Sequence, residues 1–250
     1  AGTAGGGEAA ASAGSTDAGK RSGSSASSAT AGGARGVALS VGMPGATVRG
    51  TVRLEGAVPA PKDIAIGGRD SATCGKSLPD ESLLVAANKG VENAVITLPD
   101  LKGPRPGAVT VKVDQVGCRY VPHVQVAGVG SKMELVNSDP VMHNVHGYLG
   151  AATIFNLAMP LKNQKIPKDL AKPGVVKLRC DVHNWMSGYV VTVDHPYAVV
   201  SDANGAFAIP GVPPGGHRVV VWHERLGEKT GTVQVAGTGD AVIDFGLAPR

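Results

Sequence analysis

The stretch "CDVHNWM", residues 180–186, decides how the rest of the chain is interpreted. It places Cys180, His183 and Met186 at three-residue spacing, directly before the β-branched run "GYVVTV" of residues 188–193. Each of these side chains carries a soft or borderline lone-pair donor, and a tight loop beside a strand could direct all three to one point. Such a set of donors suits a copper ion.

The composition predicts an all-β fold. Hydrophobic residues make up 42% of the chain, but it has only three Phe, two Trp and four Tyr, so the core must consist mainly of Val, Leu, Ile and Ala. The 17 Pro and 36 Gly residues indicate many turns. Turn sequences such as "NSDP" separate the alternating runs, as in an antiparallel sandwich. Six such runs are predicted strands: 47–54, 91–98, 109–114, 132–137, 175–180 and 188–193.

Composition also divides the chain into three parts. Residues 1–46 are mostly Gly, Ala, Ser and Thr, which predicts a disordered, flexible tether. Residues 47–195 form the predicted main domain. In residues 196–250 the turn "DANG" (202–205) lies between two apolar segments and predicts a hairpin. Because about 55 residues give a small core, we expect this β segment to pack on the main domain and to share strand 47–54.

The stretch 137–175 has a less regular pattern. Pro160, Pro167 and Pro173 argue against a long helix there. We therefore expect a loop that wraps one end of the sandwich.

A copper site that serves both oxidation states needs a second imidazole. Two imidazoles and a thiolate in a plane, with a weak axial thioether, provide a geometry that can hold both Cu(I) and Cu(II) without rearrangement of the ligands. The stretch "NSDPVMHNVHG" (137–147) supplies His143, which follows a predicted strand and a Pro-containing turn.

These motifs resemble those of the cupredoxins. The chain has "HNVH" (143–146), then a strand that ends in Cys, then C-x-x-H-x-x-M followed by "GYVVTV", in a loop style similar to amicyanin and pseudoazurin. The resemblance implies a Greek-key β-sandwich over residues 47–195 that holds one type 1 copper ion. The ligands it implies are His143, Cys180, His183 and Met186.

The resemblance also implies a supporting residue and a class for the C-terminal segment. Asn144 would hydrogen-bond to the backbone beside Cys180 and lock the two ligand loops together. Residues 196–250 resemble carboxypeptidase regulatory-like (transthyretin-like) segments. The two parts together resemble a plastocyanin-like group labelled methylamine-utilisation proteins. The long 137–175 insertion, the additional cysteine pair and the appended segment depart from the pattern.

Other interpretations of the same residues stay open. His143, His146, Cys180 and His183 could form a zinc site, although strand alternation would turn His146 away from the face that His143 occupies. A buried Cys and isolated histidines without any metal are a further alternative. For His123 a structural role is favoured over a place beside the ligands.

The surroundings of the ligands also carry expectations. Trp185 and Met186 are expected near the surface, where the ring edge of His183 would emerge in an apolar docking patch. Met142 is expected to point away from the site, and Met159 is expected to be a packing residue.

The remaining cysteines bear on the cellular compartment. If Cys180 is a ligand, Cys74 and Cys118 are left to form a disulfide or to remain as two buried free thiols. The disulfide would close a loop of about 45 residues, worth roughly 4 kcal/mol, and would persist only in an oxidising compartment. The chain begins at Ala without an apolar signal core and has no run as long as a membrane helix. We therefore expect an exported, processed protein in the periplasm or outside the cell.

These features favour an electron carrier over an enzyme. The protein would move single electrons between larger redox proteins, and the N-terminal tail could tether it. The alternatives are a type 1 copper subunit of a multicopper enzyme and a copper storage or delivery protein. A net charge of only +4, without basic runs interleaved with aromatic residues, excludes a typical nucleic-acid-binding protein.

Overall fold

The computed structural model describes residues 1–2, 38–40, 42–237 and 239–249. Most of the predicted tether, 1–46, therefore lies outside the described residues. Its last part differs from a flexible tether, because Ala38 and Ser40 are buried and the Leu39 N–H donates to the Ala198 carbonyl at 3.2 Å. Residue Ala46 already belongs to the first strand.

The described residues are nearly all strand and turn, which confirms the all-β prediction. No helix in these ranges is long and apolar enough to cross a membrane. The helix α1 spans Ser71–Cys74. The strands up to residue 137 are β1 (Ala46–Leu54), β2 (Asp63–Ala65), β3 (Ser77–Pro79), β4 (Val95–Thr97), β5 (Thr110–Gln115), β6 (Tyr120–Val121), β7 (Val124–Gly128) and β8 (Lys132–Asn137). The later strands are β9 (His143–Leu149), β10 (Ala152–Met159), β11 (Gln164–Asp169), β12 (Gly174–Arg179), β13 (Ser187–Val193), β14 (Ala198–Val200), β15 (Ala206–Val212), β16 (Gly215–His223), β17 (Gly227–Val235), β18 (Asp240–Val242) and β19 (Phe245–Leu247).

One sandwich contains all the candidate ligands. Its sheets have the strand orders β10-β9-β12-β13-β7 and β11-β8-β5-β6. Between them lies an apolar core that includes Leu135, Val145 and Leu178, all fully buried. The sheets are mixed, because β5 pairs with β8 and β7 with β13 in parallel. The purely antiparallel arrangement expected from the turns is therefore incomplete.

The second sandwich combines the strands after residue 196 with two earlier strands. β1 pairs with β15, β18 and β19, and β4 pairs with β14 and β16. This confirms that strand 47–54 is shared with the C-terminal segment. The division into domains at residues 47 and 196 remains a prediction, and these pairings show that β1 and β4 pack with strands beyond it.

The "DANG" turn does not form the predicted hairpin. β14 and β15, on either side of it, belong to different sheets. Asp202 Oδ1 instead accepts the N–H groups of Asn204 and Ala206, which turns the chain from one sheet to the other. The hairpin in this segment is formed by β16 and β17.

The predicted 137–175 loop is wrong, because β9, β10 and β11 occupy most of it. Gly150, with a φ of 61°, stands first in the two-residue turn between β9 and β10. The prolines sit where strands tolerate them. Pro160 follows β10, Pro173 precedes β12, and Pro167 lies in β11, which is an edge strand.

Candidate metal centre

The sheet brings the two candidate ligand segments together. β9, which begins at His143, pairs with β12 so that His146 lies opposite Arg179, next to Cys180. The loop after β12 is closed by two backbone hydrogen bonds. The Met186 N–H donates to the His183 carbonyl at 2.9 Å, and the Cys180 N–H donates to the Met186 carbonyl at 3.3 Å.

His143, Cys180 and His183 converge in the interior of the protein. Their donor atoms lie within 4.8 Å of one another. The two Nδ1 atoms are 2.9 Å apart, and Cys180 Sγ is 3.8 Å from His183 Nδ1. The residues are 0%, 2% and 2% exposed, and Cys180 is a free cysteine. Three of the four predicted ligands therefore share one buried point.

A carboxylate holds the outer nitrogen of each imidazole. Asp139 Oδ2 is 2.9 Å from His143 Nε2, and Asp70 Oδ2 is 3.1 Å from His183 Nε2. An ionised carboxylate can only accept hydrogen bonds, so each Nε2 carries the hydrogen. In the neutral rings, each Nδ1 therefore presents a lone pair to the cluster.

This donor set fits a metal ion. Two Nδ1 lone pairs at 2.9 Å repel each other unless a proton or a cation lies between them. With metal–nitrogen and metal–sulfur bonds of about 2.0 and 2.3 Å, a trigonal ion would hold its donors roughly 3.5–3.7 Å apart. The Sγ–Nδ1 separation of 3.8 Å is close to this range, and the two Nδ1 atoms, 2.9 Å apart, would have to separate by about 0.6 Å to bind the ion. Two imidazoles and one thiol are a donor set that suits copper.

The electrostatics of Asp139 and His143 reflect their mutual contact. Burial by itself would raise the pKa of Asp139, but hydrogen bonds from His143 and from the N–H groups of Cys118 and Gly117 lower it below its usual value. Burial opposes protonation of His143, but the hydrogen bonds with Asp139 and Cys180 raise its pKa. Asp139 is thus an ionised acceptor at neutral pH.

Asn144 forms hydrogen bonds that connect the two ligand segments. Its Oδ1 accepts the Asp181 N–H at 3.1 Å, and its side-chain amide donates to the Leu157 carbonyl at 3.3 Å. The backbone N–H of Asn144 also points at Cys180 Sγ, 3.4 Å away, as does the N–H of His183 at the same distance. Two N–H groups therefore face the sulfur.

The candidate axial ligand lies in the same core. Met186 is 2% exposed and packs in the cluster that contains Cys180. Met159 is also buried, but its sulfur accepts a hydrogen bond from Gln115 Nε2 at 3.1 Å, in agreement with a packing role. Met142 is 48% exposed and turned towards solvent, as expected. The role of Met186 as a ligand remains a prediction.

The expected emergence of the His183 ring edge at the surface is wrong. The Asp70 carboxylate is hydrogen-bonded to Nε2, the outer nitrogen of His183, and the ring is buried. Trp185 is partly buried, lies against His183 with ring centroids 4.9 Å apart, and donates its Nε1–H to the Cys118 carbonyl at 3.1 Å. Met186 is buried as well, so the segment carrying Asp70 lies where the docking patch was expected.

His146 lies on the other face of β9. Its ring contacts Asp181, Tyr148 and Thr153 instead of the cluster. The zinc alternative therefore has only three of its four proposed ligands together, and its fourth is directed elsewhere by strand alternation.

His123 also lies outside the ligand cluster. It is buried, and its Nε2 forms a hydrogen bond with Glu224, which follows β16. Burial opposes the charged form of His123, but the contact with Glu224 raises its pKa. This buried pair links the two sandwiches, which agrees with the structural role favoured for His123.

Sequence reasoning missed Asp139 and Asp70. Asp139 lies in "NSDP", which was interpreted only as a turn, although its position four residues before His143 was a usable signal. Asp70 is more than a hundred residues from His183, and no local pattern marks it.

Cys74 and Cys118 form a disulfide, which confirms the predicted pairing.

No protein-family model and no curated protein matches the chain. Among solved structures, a Cu-containing nitrite reductase from Thermus scotoductus SA-01 is 23% identical, with a TM-score of 0.29 over 37% of this chain and 24% of that one. The match thus spans about a quarter of the reductase. A purple cupredoxin from Nitrosopumilus maritimus is 23% identical, with a TM-score of 0.29 over 33% of this chain and 98% of that one. A reduced amicyanin mutant is 24% identical, with a TM-score of 0.30 over 40% and 99%. These similarities are too weak to assign a family.

Proposed function

We propose that this chain is a cupredoxin-like protein that holds one type 1 copper ion and carries single electrons between redox proteins. The observation that carries the proposal is the convergence of His143 Nδ1, His183 Nδ1 and Cys180 Sγ at one buried point. Bound copper would supply the one-electron redox chemistry. Met186, beside the three, is the proposed axial donor.

The residues around the ligands hold them in place. Asp139 and Asp70 fix both imidazoles with Nδ1 directed inwards, so the rings need no reorientation to bind an ion. The N–H groups of Asn144 and His183 stabilise negative charge on the sulfur of Cys180. A site whose ligands are already in position before the metal binds suits an electron carrier. Electron transfer is fast when the ligands move little between the two oxidation states.

The disulfide supports a location in the periplasm or outside the cell. Disulfides persist in oxidising compartments and are rare in the cytosol. The proposed partners are a separate electron donor and acceptor. The resemblance of residues 196–250 to carboxypeptidase regulatory-like segments stays a prediction, as does a tethering role for the N-terminal tail.

The proposal is tested by titrating the metal-free protein with Cu(II) while recording optical and electron-spin-resonance spectra. We expect an intense visible thiolate-to-copper band that saturates at one ion per chain. Cys180→Ser should lose the band, because the hydroxyl replaces the thiolate. A wild-type protein without such a band overturns the proposal. More than one copper per chain together with nitrite or oxygen turnover favours the enzyme, and rapid loss of copper to a weak chelator favours delivery.

His143 and His146 form a matched pair for the same titration. Both lie on β9, three residues apart, but on opposite faces. We expect His143→Ala to abolish the band and His146→Ala to retain it. The opposite result would place the site on the outer face of β9.

A further inference from the structure

The segment of residues 63–79 lies over the candidate metal centre. It contains β2, α1 and β3, and Asp70 stands directly before α1. The Asp70 side chain makes no hydrogen bond to the N–H groups of its own helix. Its carboxylate is directed at His183 Nε2 instead, at 3.1 Å, and the His183 side chain is 3% exposed.

The disulfide connects the two carboxylate–imidazole pairs. Cys74, at the end of α1, is bonded to Cys118. The Cys118 N–H donates to Asp139 Oδ2 at 2.8 Å, and the same oxygen receives the hydrogen of His143 Nε2. Asp70 and Asp139 are therefore joined by a short path that consists of α1, the disulfide and the hydrogen bond from the Cys118 N–H to Asp139.

We infer that Asp70 is a positioning residue for His183, delivered to the site by a disulfide-tethered cap. The inference deepens the proposed function and rests on it. Asp70 acts in three ways. It fixes the His183 ring with its hydrogen on Nε2, it places a negative charge at the outer side of that ring, and it closes the direct path from His183 to solvent.

Each action has a measurable consequence. A fixed ring loses no orientational freedom on binding, and such supporting contacts contribute 10- to 100-fold to metal affinity. A negative charge close to the site favours Cu(II) over Cu(I), because the higher charge of the ion is attracted more strongly. Removing that charge while keeping a hydrogen-bond acceptor should therefore raise the reduction potential.

Asp70→Ala, Asp70→Asn and Asp63→Ala form the test set. Asp63 is an exposed carboxylate on β2 of the same segment and serves as the matched control. In chelator competition we expect Asp70→Ala to lose about 10- to 100-fold in Cu(II) affinity and less in Cu(I) affinity. Asp70→Asn should retain more Cu(II) affinity but raise the reduction potential, and Asp63→Ala should match the wild type in both. Thermal unfolding of the metal-free variants shows whether they are folded.

The ring nitrogens of the metal-free protein give a second readout that needs no copper. Long-range proton–nitrogen NMR spectra should show the hydrogen of His183 on Nε2 in the wild type and a mixture of tautomers in Asp70→Ala. The inference is overturned if the tautomer and the affinities of Asp70→Ala equal those of Asp63→Ala while the wild type forms its thiolate–copper band. A wild type that lacks the band contradicts the proposed function instead, and the NMR result still decides the role of Asp70.

Discussion

Replacing Asn144 by Ala tests whether the two ligand segments depend on one amide side chain. The side chain makes three hydrogen bonds, with the Asp181 N–H, the Asn156 side chain and the Leu157 carbonyl. The first comes from the segment of Cys180 and the other two come from β10. Alanine removes all three but keeps the backbone N–H that faces Cys180 Sγ.

The magnitude follows from these contacts. A net contribution of about 0.5–1.5 kcal/mol for each bond sums to roughly 1.5–4.5 kcal/mol. Two of the three bonds lie at exposed positions, where water replaces a lost partner, so we expect a loss near 2 kcal/mol in the free energy of unfolding. Because the Asp181 bond fixes the position of Cys180, copper affinity should fall about 10- to 100-fold as well.

Urea denaturation of the metal-free protein and chelator competition with Cu(II) measure the two effects. Gln125→Ala is the matched control, since this side chain makes one exposed hydrogen bond, to the Lys112 carbonyl, on β7. It should change stability by less than about 1 kcal/mol and leave copper affinity unchanged. Equal copper affinity in Asn144→Ala and wild type would refute the reasoning, even if stability fell.

Three further outcomes are expected. Cys74→Ser/Cys118→Ser should lower the free energy of unfolding by about 4 kcal/mol in urea denaturation, because a loop with a sequence separation of 44 is no longer closed; a loss below about 1 kcal/mol contradicts this. Met186→Gln should keep the copper but lower its reduction potential, since an oxygen donor favours Cu(II). The control Met142→Gln, at an exposed residue, should leave the potential unchanged. Equal potentials in the two variants argue against Met186 as the axial ligand. Burial lowers the pKa of His223 from 6.5 to about 4, so the unfolded chain binds the extra proton between these values. The contribution of His223 to the free energy of unfolding is therefore complete above about pH 6.5 and falls by roughly 3 kcal/mol towards pH 4. In urea denaturation, His223→Gln should remove this contribution, and a pH dependence equal to that of the wild type would contradict the prediction.

The parts of the fold that depend on local patterns could be predicted from the sequence. Each of the six predicted runs overlaps a strand, because alternation of apolar and polar residues reflects a half-buried strand, but within 91–98 only Val95–Thr97 is a strand. The spacing in "CDVHNWM" and the position of His143 identified three residues that converge. Cys180 and His183 are close in sequence, and His143 joins them because β9 and β12 are neighbours in one sheet.

The features that were missed depend on contacts between distant parts of the chain. The prolines of 137–175 led to the prediction of a loop. A strand tolerates proline at its end or at the edge of a sheet, and the sequence alone does not show which strands have these positions. β9, β10 and β11 form there nonetheless. The parallel pairing of β1 with β18 and β19 joins residues almost 200 positions apart, which no local pattern encodes.

Asp70 shows the same limit within the site. Its carboxylate reaches His183 across 113 positions, and the reach depends on where the 63–79 segment is tied by its disulfide. The His183 ring edge was expected at the surface, in an apolar docking patch. The actual burial of His183 follows from a contact that only the folded chain reveals.

A crystal structure of the copper-loaded protein, with anomalous scattering recorded at the copper absorption edge, tests the central claim most directly. We expect one strong anomalous peak per chain, within bonding distance of His143 Nδ1, His183 Nδ1 and Cys180 Sγ, with Met186 at a longer distance. A peak on the outer face of β9 beside His146 and Asp181, or copper density without contact to Cys180, would contradict the account.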